Sequence, residues 1–143
     1  MTPMTSPTLP PEVQPRRKSE WAKFIASFGY AFNGLWYVLR TQRNMRVHVI
    51  LAILATLMGI LLHISALGFA LLYVAITGVF ITEMINTVIE TCIDLVTPNY
   101  HPLAKIAKDV SAGAVLLNAI LAIVIGLFVL GPPLWQFFLH YFH

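Results

Sequence analysis

Charge is scarce in this sequence. Of its 143 residues 10% are charged, 58% are hydrophobic, and the mean hydropathy is +0.78. Soluble domains usually carry about 25% charged residues, so a small soluble domain is excluded. Cysteine is nearly absent. The single Cys92 rules out an internal disulfide framework and a cysteine-based zinc site, and reads as one more small apolar residue. No GxxxxGKS or GxxxxGKT loop and no kinase-type glycine-rich loop occurs, so any nucleotide site must be built differently. The basic Arg16-Arg17-Lys18 is not followed closely by an apolar core with a small-residue cleavage site, which excludes a secretory signal peptide. Acidic side chains are scarcer than basic ones: beyond residue 20 only Glu83, Glu90, Asp94 and Asp109 occur.

What is present is apolar sequence long enough to cross a membrane. Residues 1–19 are rich in Pro, Thr and Ser without apolar period and read as a disordered tail. A membrane domain over 20–131 follows. Its first helix, 20–40, has Ser19 as candidate N-cap and Glu20 in the first turn. Trp21, Phe24, Ile25, Phe28, Phe32, Leu35, Trp36 and Leu39 repeat at spacings of three and four. That pattern predicts an amphipathic helix in the membrane interface, where Trp and Tyr favour the headgroup level. Three spans are expected at about 47–64, 67–90 and 110–130, each near the roughly 20 residues that a 30 Å hydrocarbon layer requires. Gly131-Pro132-Pro133 is read as the end of the third. Residues 132–143 are read as an aromatic tail at the outer interface, with His140 and His143 in it. The fold class is therefore an all-α membrane protein, a surface helix plus three spans.

Basic residues set the orientation. Arg16, Arg17, Lys18, Lys23, Arg40, Arg43 and Arg46 precede the first span, and Lys105 and Lys108 lie in the second link. The short link His63-Ile-Ser65-Ala66 and the segment after the third span hold no Lys or Arg. By the positive-inside rule the N-terminus and second link are cytoplasmic.

Three of the four acids fall in Ile81-Thr-Glu83-Met-Ile-Asn86-Thr-Val-Ile-Glu90-Thr-Cys-Ile-Asp94. At 100° per residue, positions 83, 86, 90 and 94 fall within about 80° of one another on a helix. A carboxylate costs about 2.5 kcal/mol or more at a bilayer centre, so a stripe of them is a functional-site hypothesis. Carboxylates and an amide are hard oxygen ligands suited to Mg²⁺, and lysines pair with phosphate as point charges. Acids and lysines at a membrane surface suit phosphoryl transfer to a lipid. The plainer readings are an interhelical polar network for Glu83, Asn86 and Glu90, and helix-end electrostatics for Asp94 and Asp109. For Lys105, Lys108, Arg43 and Arg46 the plainer reading is topology charge with snorkelling side chains. His48 and His101 have no partner at ligand spacing and read as structural. Asn118 reads as an interhelical hydrogen-bonding residue, and Ala112, Gly113 and Ala114 as small residues that permit close helix contact.

The spacing of Glu83, Asn86 and Glu90, followed by Ala107-Lys108-Asp109, resembles the prokaryotic diacylglycerol kinase family, which includes the undecaprenol kinases. The resemblance extends upstream through Asn33-Gly34 and Arg43-Asn-Met-Arg46-Val-His48, about residues 24–130 in all. It implies a homotrimeric integral-membrane kinase with active sites shared between subunits. It also implies a bacterial cytoplasmic-membrane location with the site on the cytoplasmic side. Carried over by motif, Glu90 is the general base at the lipid hydroxyl, and Glu83 and Asn86 hold Mg²⁺ and the phosphates of ATP. Lys108 and Arg43 contact phosphate, Asp94 and Asp109 frame the nucleotide, and Asn33 and Arg46 contact the lipid. Family members commonly carry Glu just before the RNMR segment; here it is Gln42, an uncharged metal ligand at most. The implied partners are ATP, a membrane lipid and further copies of the chain, with no nucleic acid. Undecaprenol and diacylglycerol both stay open as substrates, although Asp94-Leu-Val-Thr-Pro-Asn-Tyr-His-Pro-Leu-Ala-Lys105 looks more like the undecaprenol branch. An inactive family member, or a non-catalytic oligomer acting in assembly or cation passage, is the alternative.

Overall fold

A computed structural model describes residues 19–142. These residues form α1 (Glu20–Thr41), α2 (Arg43–Leu61), α3 (Ala66–Val96) and α4 (Pro102–Phe142), with no strand among the described residues. The tail expected over 1–19 lies outside them apart from Ser19, whose carbonyl accepts the Lys23 N–H as α1 begins.

The chain divides into two units after Asn33. In the first, α1 stacks its aromatic residues at helical spacing. Trp21 meets Phe24 edge to face at 6.2 Å between ring centroids, and Phe24 meets Phe28 at 5.2 Å. Glu20 and Lys23 form an exposed ion pair one turn apart.

In the second unit α3 is the central element, packed mainly on α4 and less extensively on α2. α2, α3 and α4 are each long and apolar enough to cross a membrane. The protein is an all-α membrane protein. Gln42 separates α1 from α2: its extended backbone (φ −93°, ψ 118°) breaks the helical path at one residue.

The turn between α2 and α3 is fixed by backbone hydrogen bonds. His63 adopts φ 52°, its N–H bonds the Ile60 carbonyl at 3.1 Å, and the Ile64 N–H returns to Gly59 at 3.1 Å. This is a Schellman stop with histidine at the left-handed position. Ser65 then caps α3, its hydroxyl accepting the Gly68 N–H at 3.1 Å. Gly59 lets these side chains pack close: a Cβ there would lie 2.9 Å from Ile64 Cδ1 and 3.1 Å from the Phe69 ring, so they would have to shift.

Helix bounds differ from the sequence reading at several points. α4 begins at Pro102, so Leu103 to Asp109 are helical and the second link shrinks to Thr97–His101. Pro102 needs no helical N–H at this position. His101 closes the new N-terminus, its Nδ1 accepting the Leu103 N–H at 3.2 Å. At the other end α4 runs through Pro132 and Pro133, and the expected separate tail is its last turns. The prolines remove two backbone donors but interrupt nothing, a tolerance common in membrane helices. α3 likewise continues past residue 90 to Val96.

These lengths position the site. At 1.5 Å per residue, the 31 residues of α3 and 41 of α4 extend about 46 and 61 Å, against about 30 Å of hydrocarbon. Counted from Ala66, Glu83 lies about 26 Å along α3 and Glu90 about 36 Å. For a hydrocarbon layer beginning at Ala66, Glu83 would fall just within the far boundary, and Glu90 and Asp94 beyond it.

Candidate active site

The buried side chains of α3 are Leu72, Ala75, Val79, Glu83, Asn86 and Thr87. They recur at three- and four-residue intervals, so one stripe of the helix faces inward, and it turns from apolar to polar at Glu83. Thr87 stays compatible with the helix by returning its hydroxyl to the Glu83 carbonyl at 2.9 Å.

Glu83 is 2% exposed, and its Oε2 has no hydrogen-bond partner among the described residues. A buried acceptor without a donor is uncommon and calls for a ligand or a role. Asn86, 8% exposed, is held at both ends of its amide. Its Nδ2 donates to Glu90 Oε1 at 3.0 Å, and its Oδ1 accepts from the Ser111 hydroxyl of α4 at 2.5 Å. Glu90 is half-buried and Asp94 exposed.

α4 supplies the cations. Lys108 pairs with Asp94 across the two helices, and Lys105 pairs with Asp109 one turn on within α4. Both pairs are largely solvent-exposed, so they contribute at most about 1 kcal/mol each to stability. Asp109 therefore faces a lysine of its own helix rather than the stripe. Deeper along the same seam, Asn118 Nδ2 donates to Thr82 Oγ1 at 3.3 Å.

On the far side of Glu83 from these charges is a cavity of about 320 Å³. It is lined almost wholly by apolar groups of α2, α3 and α4, including Leu51, Leu72, Val79, Phe80, Ala122 and Ile123. Val79 and Phe80 stand one turn before Glu83, so the carboxylate follows directly on the cavity-lining stripe. His48 of α2 also lines this cavity and is close enough to interact electrostatically with Glu83.

The structure therefore gathers Glu83, Asn86, Glu90, Asp94 and Lys108 along the α3–α4 seam. Arg43 and Arg46 are exposed on the first turn of α2 and form no ion pair among the described residues. Gln42 is half-buried at the N-cap of α2, and its side chain makes no capping hydrogen bond. Asn33 is exposed on α1, at the end of the other unit. Cys92 is exposed. No three His, Cys, Asp or Glu side chains converge on a metal position among the described residues. Ser111 is the polar contact that the sequence did not single out; only its place one turn after Lys108 hinted at it.

The family model for prokaryotic diacylglycerol kinase matches residues 29–130. The chain belongs to this family. Its relatives divide by substrate name. An undecaprenol kinase of Bacillus subtilis is 38% identical over 117 residues, covering 82% of this chain and 95% of the relative. A diacylglycerol kinase of Synechocystis is 43% identical over 125 residues, covering 85% and 71%. The Escherichia coli K12 diacylglycerol kinase is 29% identical over 104 residues, covering 73% and 85%. As a member of the prokaryotic diacylglycerol kinase family, the chain is a multi-pass membrane lipid kinase.

Proposed function

We propose that the chain transfers the γ-phosphoryl group of ATP to the hydroxyl of a membrane lipid alcohol, undecaprenol or diacylglycerol. The observation that carries this is the single inward stripe of α3. It offers one wall of an apolar cavity, then a buried carboxylate with one unpartnered oxygen, then an amide and two more-exposed carboxylates, the last of them paired with Lys108 of α4. A lipid alcohol meeting ATP at a membrane surface presents the same order of chemistry: tail, hydroxyl, phosphate.

The motif made Glu90 the base and put Glu83 on the metal; the burial pattern supports the reverse assignment. Glu83 adjoins the cavity at about the depth where a lipid hydroxyl sits, and its Oε2 is an acceptor awaiting a donor. In the proposed step the hydroxyl proton passes to Glu83 and the hydroxyl oxygen bonds the γ-phosphorus. The bond from that phosphorus to the bridging oxygen of ATP breaks, releasing ADP. Glu90 is half-exposed at the water side, and Asn86 occupies only one of its oxygens. Its free hard oxygen fits Mg²⁺, with nucleotide phosphates completing the shell. Magnesium, when bound, neutralises phosphate charge. Asn86, engaged at both ends, orients Glu90 instead of ligating the metal itself. Lys108 exchanges Asp94 for a phosphate oxygen, and Asp109 holds Lys105 nearby. Gln42, Arg43 and Arg46, at the start of α2, would complete the phosphate end of the site in a homotrimer. The basic end of the spans would face the cytoplasm of a bacterial cell, where ATP is found. Cation passage is less well supported, because α3 carries no charged residue from Ala66 to Phe80.

The test is phosphorylation of undecaprenol and diacylglycerol, side by side in mixed micelles, by wild type, Glu83→Gln and Glu90→Gln. A general base contributes about 10²–10⁴-fold, so Glu83→Gln should lose at least about a hundredfold in turnover while still binding ATP. Glu90→Gln should instead weaken Mg·ATP binding. Near wild-type turnover in Glu83→Gln would refute the base assignment, and no phosphate on either lipid from wild type would refute the kinase reading for these substrates.

A further inference from the structure

We propose that Ser111 is a positioning residue that sets the Glu90 carboxylate through Asn86, making α4 part of the control of the phosphate end of the site. This rests on the kinase reading above. The relay crosses between helices: Ser111 hydroxyl to Asn86 Oδ1 at 2.5 Å, then Asn86 Nδ2 to Glu90 Oε1 at 3.0 Å. Ser111 is 7% exposed and Asn86 8%, so the bond between them is buried from water, while the bond to Glu90 is part-buried.

The polarity of the relay follows from counting protons. A carboxylate only accepts, so the amide must turn its NH₂ toward Glu90, and its oxygen then faces Ser111. That oxygen is buried and needs a donor, which a hydroxyl supplies and an alanine would not. Ser111 has one proton and a second acceptor within reach, the Lys108 carbonyl at 2.9 Å. That carbonyl already has its helical N–H partner, so the proton is worth more on Asn86, the shorter contact. Remove the hydroxyl and Asn86 loses the bond that holds its plane. It then turns to satisfy its oxygen elsewhere, and Glu90 loses its orienting donor. Ser111 stands one turn after Lys108, so a single segment of α4 would place both the phosphate-binding lysine and the carboxylate opposite.

The experiment uses full-length protein in mixed micelles, comparing Ser111→Ala and Ser111→Thr with wild type. Kinetics are measured against lipid and Mg·ATP separately, and the Asn86 side-chain amide is followed by ¹⁵N NMR without nucleotide, assigned by its loss in Asn86→Asp. Ser111→Ala should lower kcat about tenfold and raise the KM for Mg·ATP, leaving the lipid KM unchanged, the scale of one hydrogen bond to a charged group. Its Asn86 amide signals should move toward those of an unbonded amide. Ser111→Thr keeps the hydroxyl and should restore both readouts. Unchanged amide signals in Ser111→Ala would overturn the relay, as would equal losses in Ala and Thr, which would make volume and not the hydroxyl the cause. Should Ser111→Ala fail to fold, Ser111→Cys, of similar size but a weak donor, must show the same amide shift. A wild type that phosphorylates neither lipid counts against the kinase reading alone, and the amide signals still decide the relay.

Discussion

The two halves of α3 belong to one continuous helix and solve opposite problems. From Ala66 to Phe80 it has no charge, buries Leu72, Ala75 and Val79, and lines an apolar cavity. From Ile81 to Asp94 it carries three acids and an asparagine, and its partners on α4 are polar. The backbone is indifferent to this change, because every main-chain bond is satisfied within the helix. What changes is the side-chain environment across a single turn between Phe80 and Glu83. The stripe is therefore a graded surface, apolar at one end and charged at the other, and in the proposed reaction it would align an amphiphile without any dedicated loop.

The sharpest way to break this comparison is to fill the apolar half. Ala122 of α4 lines the cavity, and Ala122→Phe would occupy much of it. The lipid KM should rise at least about tenfold with the KM for Mg·ATP unchanged, since one aromatic side chain displaces tail contacts worth about 1.5–3 kcal/mol. Leu117→Phe, on a 71% exposed position outside the cavity lining, is the control and should leave kinetics unaltered. Equal effects from both would mean that the cavity holds no part of the substrate.

The polar half is tested by Lys108→Met, which keeps the stem and deletes the charge. The KM for Mg·ATP should rise about tenfold, from loss of a charge-assisted phosphate contact, while stability should change little, because the Asp94 pair is mostly exposed. A smaller effect of opposite sign is expected at Gln42→Glu. Adding a carboxylate where the family commonly has one should lower the Mg²⁺ concentration for half-maximal activity a few-fold, by supplying charge to a hard cation. No change in the Mg²⁺ titration would place residue 42 outside the metal's reach.

The helices and the acidic stripe were legible in the sequence because both rest on local periodicity: apolar length marks spans, and spacings of three, four and four put Glu83, Asn86, Glu90 and Asp94 on one face. What misled was punctuation. Gly131-Pro132-Pro133 is a strong stop signal in water, yet the apolar run beyond it lets α4 continue to Phe142. Leu103 to Asp109 read as a link because of its lysines, although its spacing suits a helix that projects past the membrane. The motif assigned Glu90 as base and Glu83 to the metal, but the difference in burial between them, on which the proposed reversal rests, was not legible in the sequence. Ser111 was invisible for a related reason. Its partner, 25 residues away, depends on how α3 and α4 are registered against each other.

The smallest expected effect lies at the junction of the two halves. A Cβ built on Gly78 would stand 3.0 Å from Asn118 Nδ2, tighter than ordinary contact. Gly78→Ala should therefore push Asn118 away and weaken its 3.3 Å bond to Thr82 Oγ1. Interhelical hydrogen bonds in membranes average about 0.6 kcal/mol, and the added methyl returns about that much through helix propensity. The net result should be a thermal midpoint in detergent within about 2 °C of wild type, with kcat and both KM values within about twofold of wild type. Asn118→Leu, which removes the bond outright without the offsetting methyl, should lower the midpoint by about 2 °C. If either variant cut turnover as deeply as Ser111→Ala, the seam would be acting as one rigid unit. The Asn86–Glu90 orientation would then be transmitted from the junction as well as from Ser111.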